Sequence, residues 1–582
     1  MRGSRFFLEA AKRHGVCFGA GIIGGEASEL IFDDVKDFTF MLTRHETTAG
    51  VMADAYARLT GQAQLAYSTF GPGMTNLLTG IACAALDRSP MLAVSAQVGC
   101  PEIAYGHTHQ CLDMVAIARS VTKFAYELTR IEEIPGVVSE AMRCAREGLQ
   151  GPSFISFPRD VMGATIDEKS AIVMLEGMPS SAPVPLRPPK STDIKWLADQ
   201  LQSATRPIAI VGNLVYKHGA QRQLEAFVNR YQIPVVTTLG SKGILPESHR
   251  LNVGAVNKYL EGFLSRPVLN ELFETADLIL LIGFDIAEDV KPDLWRRGEP
   301  KKEISLSPFP NRVESLVKCD RQIIGDLSAA LSSLNDLGRR PESRDLALIR
   351  GLKLKKEAYD RAGTDETAPT PAGIVRAIRK AIGPKGILCS DIGLHKQIAG
   401  LFTESSGPNT FFCSNGLGSF GTGLGLGLGA KVARPDLPVA IVAGDGGFHS
   451  NSQDLETAVR YNIPVIIVIL KDDAYGLIKY YQLKGHNRLA RSEVQFGPVD
   501  FVALARANGC RASRITRNEE LGPALARAIE SGAPALLEVP VCYEEALQLL
   551  TTGGTSEPKP RPDLESFISP SFRPLAELHP TR

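Results

Sequence analysis

The sequence predicts an α/β protein built from three doubly wound domains with mainly parallel sheets. Three observations carry this expectation. Short apolar runs alternate with helix-period segments, the alternation recurs in three blocks, and Pro-rich or charged stretches separate the blocks. At 582 residues the chain is also too long for one core, because a typical domain holds roughly 100–200 residues.

The first block spans 1–177. It opens on MRGSRFFLEAAKRHG, an amphipathic helix in which Glu9, Lys12 and Arg13 interrupt the apolar positions too early for a signal peptide. Strand-like runs follow at Phe38–Thr43, Ala66–Thr69, Met91–Ala96 and Phe154–Phe157, with helical segments such as Thr48–Leu59 between them. Residues 178–190 (MPSSAPVPLRPPK) sustain neither a helix nor a central strand and read as a linker. The central block, 191–340, carries Ile208–Val211, Val235–Thr238 and Leu278–Ile282. A charged linker at 341–370 with one helix leads to the third block, 371–545. Its strands are Gly386–Cys389, Val439–Ala443, Val465–Leu470 and Ala535–Val539; the third of these is apolar at every position, as a strand buried on both faces requires. Residues 546–582 are polar and Pro-rich and read as an extended tail.

Composition narrows the function classes. Lys plus Arg equals 64 and Asp plus Glu equals 64, so nothing points to nucleic acid or an anionic membrane surface. No apolar run approaches the ~18 residues of a membrane span. Ten cysteines lack any CxxC pair, which argues against zinc and a disulfide framework and for free thiols in the cytoplasm. The expected partners are small molecules, to be held locally by backbone N–H groups or a metal.

Three motifs carry chemistry. Val439–Ala443 runs into Gly444-Asp445-Gly446-Gly447 and then a helical pattern, a strand–loop–helix arrangement that aims backbone N–H groups at a phosphate. Asp445 would repel a phosphate directly, so its expected role is to hold a hard cation, with Asp472 at the end of the neighbouring strand as the second ligand. Glu46 follows the strand Phe38–Thr43, at the carboxyl end where α/β sheets place ligands. The loop Thr69-Phe70-Gly71-Pro72-Gly73-Met74-Thr75-Asn76 comes next, and a Gly-rich run, Asn415 to Gly421, precedes the GDG turn.

Together these motifs resemble the thiamine-diphosphate-dependent acetolactate synthase/pyruvate oxidase superfamily. The resemblance covers the chain to about Tyr543. It implies pyrimidine-binding, central and diphosphate-binding domains, in that order. It implies Mg²⁺ on Asp445, Asp472 and the Ala474 carbonyl, although the family usually has Asn at the positions of Lys471 and Asp472. Lys471 is expected to offset the extra carboxylate. Glu46 would activate the pyrimidine, flanked by Gly71, Pro72, Gly73 and Asn76; Gly446, Gly447 and His395 would meet the diphosphate. Phe420 would wedge beneath the cofactor, with a backbone oxygen near Gly418 accepting from it, and His109 and Gln110 would lie over its reactive carbon. The two halves of the site would meet across subunits of a homodimer or homotetramer.

Within the superfamily, LTRHETTAG, GPGMTNLLTGIA, LDRSP, THQCLD, GPSFIS, LNVGAV, GFDIAED and AGDGGFHSNSQDLET resemble the carboxyethylarginine synthase family. That implies an aldehyde donor such as glyceraldehyde 3-phosphate and the amine of an amino acid as acceptor. Tyr259 and Tyr543 match its substrate positions, whereas Lys396-Gln397 replaces Arg-His. The alternative is an acetolactate synthase-like or decarboxylating enzyme acting on pyruvate or a related 2-keto acid. The central block carries no FAD signature.

Overall fold

The structure, a computed structural model, describes residues 1–25, 35–106, 108–256, 266–285, 290, 292–296, 298–310, 319–338, 341, 346–347, 349–351, 368–486 and 489–543 (backbone only at 266–270, 294 and 484–486). Tyr259, most of the 341–370 linker and the tail 546–582 lie outside the described residues.

Three six-stranded sheets form, and every strand pair in them is parallel. The first contains β1 (Phe18–Ile22), β2 (Thr39–Leu42), β3 (Gln64–Ser68), β4 (Met91–Gln97), β5 (Phe124–Glu127) and β6 (Pro152–Pro158), in the order β2-β1-β3-β4-β6-β5. The second contains β7 (Pro207–Val211), β8 (Val235–Thr238), β9 (Asn252–Val256), β10 (Leu278–Ile282), β11 (Lys302–Ser307) and β12 (Arg321–Ile324), ordered β12-β11-β10-β7-β8-β9. The third contains β13 (Ile387–Ser390), β14 (Phe411–Cys413), β15 (Val439–Gly444), β16 (Val465–Lys471), β17 (Arg511–Arg514) and β18 (Ala535–Pro540), ordered β14-β13-β15-β16-β18-β17.

The first and third sheets therefore share one topology. In each, the chain leaves the first strand to one side and returns to pair on its other side. This reversal makes a switch point, between β1 and β3 in one and between β13 and β15 in the other, where ligands settle at the carboxyl ends of the strands. The Gly71 loop follows β3, and the Gly444–Gly447 turn follows β15. Both sequence motifs thus sit at equivalent crevices. Ser390 pairs with Val442, and Gly444 pairs with Leu470, so Asp391, Asp445 and Asp472 all emerge at the same end of the third sheet.

The N-terminal helix Gly3–Arg13 packs Phe6, Phe7 and Leu8 into the first core. Residues 178–190 adopt no helix or strand. The first and third sheets are not isolated from each other. Their helices Glu46–Thr60 and Gly423–Ala433 press together, and Ala49, Val51, Met52 and Ala55 share one buried cluster with Leu424, Leu426, Leu428 and Ala430. Alternate glycines in GLGLGLG make the approach possible: a Cβ at Gly425 would lie 3.0 Å from Val51, and one at Gly429 only 2.3 Å from the Met52 carbonyl oxygen.

In a solvated helix Gly→Ala gains about 1 kcal/mol of helix propensity. At Gly429 the clash is with backbone, which cannot rotate away, and overpacking of this kind costs about 1–3 kcal/mol. We expect Gly429→Ala to lower the urea unfolding midpoint; a raised midpoint would show that the two helices do not meet there.

Candidate active site

The Glu46 carboxylate is buried at the first turn of its helix, and Asn76 donates to its Oε2 at 3.1 Å. Its Oε1 faces Gly73, where an added Cβ would lie 3.3 Å away. Gly71 has φ +62°, a left-handed conformation, and a Cβ there would strike Gln110 at 2.8 Å. Gln110, itself at φ +55°, therefore closes over the Gly71–Gly73 loop. His109 is exposed beside it. The N-cap of this helix is His45, whose ring nitrogen accepts from the Thr47 N–H. Arg44 donates its backbone N–H to Asp454 at 2.8 Å, tying the residues before Glu46 to the third sheet.

Asp445 begins the short helix Asp445–Ser450 directly at the end of β15, and a second helix, Leu455–Arg460, follows it. Its carboxylate is buried and takes three backbone N–H bonds: Gly446 to Oδ1 at 2.8 Å, and Asp472 and Asp473 to Oδ2 at 3.0 and 2.6 Å. Asp473 adopts φ +52°, and this turn carries Ala474 into a bridge with Gln495. The Asp472 Oδ2 is buried and has no hydrogen-bond partner. Burial, then the neighbouring Asp445 charge, pushes the Asp472 carboxyl up to about 7. Tyr543 is buried facing both carboxylates, and its hydroxyl is pushed well above the ordinary value, first by burial and then by those charges. Lys471 pairs its ammonium with Asp473, and through space it also offsets the Asp472 charge.

Glycines line the cradle. A Cβ at Gly447 would lie 2.3 Å from Asp391 Oδ2, and one at Gly446 would meet the Tyr475 ring at 2.7 Å. Gly418, at φ +67°, has open space around it. Phe420 is half exposed, 6.0 Å edge-on to Tyr475, with Leu417 also exposed. His395 is buried against Gly444, and its Nε2 has no partner. Lys396 and Gln397 are buried in the same helix, Leu394–Phe402, with the Lys396 ammonium donating to the Ser414 carbonyl at 3.3 Å.

Two carboxylates that sequence reasoning did not assign hold the Phe420 loop. Asp391 is buried and accepts from the N–H groups of Gly421 and Gly423, both at 3.1 Å; burial still pushes it up to about 6. Asp87, from the first domain, accepts from Asn415 and Gly416 N–H at 3.0 Å and from Ser414 at 2.9 Å, and pairs with Arg58. Asp87 lay inside the quoted LDRSP stretch and Asp391 four residues before His395, but their partners are distant in sequence.

The unpartnered Asp472 Oδ2 and His395 Nε2 fit a cation and a phosphate group respectively. Among the described residues no group of three or more His, Cys, Asp or Glu is placed to hold a metal ion. Neither Glu46 nor the 69–76 loop hydrogen-bonds to Asp445 or Asp472 within the chain, among the described residues.

Family models match three stretches: the thiamine pyrophosphate enzyme N-terminal TPP binding domain at residues 1–117, the central domain at 194–334 and the C-terminal TPP binding domain at 391–539. The chain is 32% identical to a "Probable acetolactate synthase large subunit" of Methanocaldococcus jannaschii, covering 95% of this chain and 94% of that protein. The chain belongs to the thiamine-pyrophosphate-dependent acetolactate synthase/pyruvate oxidase superfamily. It is also 28% identical to the acetolactate synthase of Bacillus subtilis (94% of each chain) and 30% identical to acetolactate synthase isozyme 3 large subunit of Escherichia coli (91% of this chain, 92% of that one). These relatives favour the acetolactate synthase-like reading over the carboxyethylarginine synthase-like one. The three-domain α/β expectation agrees with the three sheets and the three matched stretches. Among the described residues no helix is long and apolar enough to cross a membrane.

Burial of His395 makes the stability of the fold pH-sensitive. Burial lowers its imidazole to about 4, from an ordinary 6.5. The unfolded chain therefore takes up a proton that the folded chain refuses. This stabilising contribution is full above about pH 6.5 and is lost as pH falls towards 4, amounting to on the order of 3 kcal/mol. In urea titrations at pH 7 and pH 5, His395→Gln should lose less stability than the unaltered chain; an identical loss would contradict the assignment.

Proposed function

We propose that the chain is a thiamine diphosphate- and Mg²⁺-dependent carboligase of the acetolactate synthase type. It would release CO₂ from pyruvate or a related 2-keto acid and join the remaining acyl unit to a second carbonyl compound. The observation that carries this reading is similarity along nearly the whole chain to acetolactate synthases.

Bound thiamine diphosphate would supply the nucleophilic carbon and electron sink for bond making beside a carbonyl. Glu46 would share a proton through Oε1 with the cofactor's pyrimidine nitrogen, while Asn76 orients the carboxylate through Oε2. Gly73 keeps Oε1 uncovered. Asp445, Asp472 and the Ala474 carbonyl would hold Mg²⁺, and the Gly446–Gly447 turn, through the Gly447 N–H, would face the diphosphate with His395. Asp391 and Asp87 would fix the loop that presents Phe420 and Gly418. His109 and Gln110, on the turn packed over Gly71, would border the substrate. Lys396, Gln397 and Tyr543 line the third-domain side. Phe420, Leu417, Tyr475, Ile478 and Tyr481 expose apolar surface in the single chain. A second copy would cover it, bringing Glu46 of one protomer to Asp445 of its partner in a homodimer or homotetramer.

A second reading is favoured by the motif matches outside the cofactor loops, LNVGAV and GFDIAED in the central block. In it the acceptor is the amine of an amino acid and the donor an aldehyde such as glyceraldehyde 3-phosphate. One experiment separates the two. The chain is incubated with thiamine diphosphate and Mg²⁺, and with either pyruvate or glyceraldehyde 3-phosphate plus a panel of amino acids, and products are read by mass. Acetolactate with CO₂ from pyruvate alone supports the first reading; an N-carboxyethyl amino acid without CO₂ refutes it in favour of the second.

A further inference from the structure

We propose that the Asp445–Asp472 pair is a divalent-cation site that fills before the cofactor arrives, so that the protein loads metal first and diphosphate second. The inference rests on the thiamine diphosphate reading of this site and concerns the order and source of its affinity.

The argument is one of charge. Asp445 is buried, and its two oxygens are already oriented by the N–H groups of Gly446, Asp472 and Asp473. That leaves one lone-pair site to spare, on Oδ1. Asp472 stands beside it with Oδ2 buried and without a hydrogen bond. The nearest cation in sequence is committed elsewhere, because Lys471 pairs with Asp473. Lys479 reaches Asp472 only through space. Tyr543 closes the site on its other side and is buried among apolar neighbours. Two carboxylates thus face one another with a single cluster of backbone donors between them. Leaving a buried carboxylate oxygen unpaired is costly, and the group relieves that cost by taking up a proton or by binding a cation at that oxygen.

A dication matches the site: two negative charges and one doubly positive ion sum to zero, in a pocket of hard oxygen ligands completed by the Ala474 carbonyl. With one carboxylate and one neutral amide, the bound ion would keep a net positive charge, and an anionic diphosphate would be needed to complete it. With two carboxylates the protein alone completes it. The diphosphate then meets a neutral centre, and gains its affinity more from the backbone N–H groups of the glycine turn and from His395.

The test is calorimetric titration of Mn²⁺, the probe metal, into cofactor-free chain. One Mn²⁺ per chain is expected, with binding at least tenfold weaker in Asp472→Asn. Adding thiamine diphosphate should restore Mn²⁺ binding in Asp472→Asn to within a few-fold of the unaltered chain, which also shows that the variant is folded. The proposal is overturned if the unaltered chain binds Mn²⁺ only with the cofactor present, or if Asp472→Asn binds it equally well without the cofactor. If neither protein takes up Mn²⁺ with or without thiamine diphosphate, the cofactor reading of the site falls, and the loading order with it.

Discussion

Replacing Glu46 by Gln is expected to remove turnover, lowering kcat by on the order of 10²–10⁴, while leaving unfolding and cofactor uptake unchanged. The amide has the same shape, so the Asn76 contact at Oε2 and the packing around Gly73 have an isosteric partner. It cannot exchange a proton at the position of Oε1, and proton sharing there is the only chemistry this residue is asked to perform. The comparison needs two readings on one preparation, a steady-state rate and a cofactor titration. A rate within tenfold of the unaltered chain would remove Glu46 from the mechanism. Loss of cofactor uptake together with rate would make it a binding residue instead.

Asp445→Ala is expected to have the second large effect, and for two separable reasons. The substitution deletes the acceptor of three backbone N–H groups, each of which costs about 1–3 kcal/mol when left buried and unpaired. It also deletes one of the two carboxylates available to a cation. Mg²⁺-dependent cofactor binding should disappear, and the urea midpoint should fall. Asp445→Asn divides these consequences. Its amide oxygen can still accept from Asp472 and Asp473, so most of the stability should return, while cation affinity should not. If Asp445→Asn bound Mg²⁺ and cofactor as well as the unaltered chain, the carboxylate would be a structural acceptor only.

What the sequence revealed, and what it concealed, follows from where each signal resides. β15 and β16 were legible because parallel strands covered on both faces carry unbroken apolar runs, and all but the last residue of each is buried. β1, FGAGI, was not: two glycines in five residues remove the propensity signal, although the strand is central and starts the first sheet. The edge strands β5 (FAYE) and β17 (RASR) hid for another reason: each is four partly exposed residues long and includes charge, so neither forms an apolar run. Glu46, Asp445 and Asp472 could be proposed from the sequence because their motifs are local in it. Asp87 and Asp391 were not assigned, because each acts on the Phe420 loop through backbone N–H groups some 30 to 330 residues away. The Lys471–Asp473 pair was missed for a subtler reason: the left-handed turn at Asp473 brings that carboxylate, not Asp472, back to the ammonium.

The central claim is that one coenzyme is held by its diphosphate at the Asp445 turn and activated at its pyrimidine by Glu46. Calorimetric titration of thiamine diphosphate in the presence of Mg²⁺ tests it most directly. One equivalent per chain is predicted for the unaltered protein and for Glu46→Gln, and none for Asp445→Ala. Heat of binding that is absent from the unaltered protein, or undiminished in Asp445→Ala, would contradict the account.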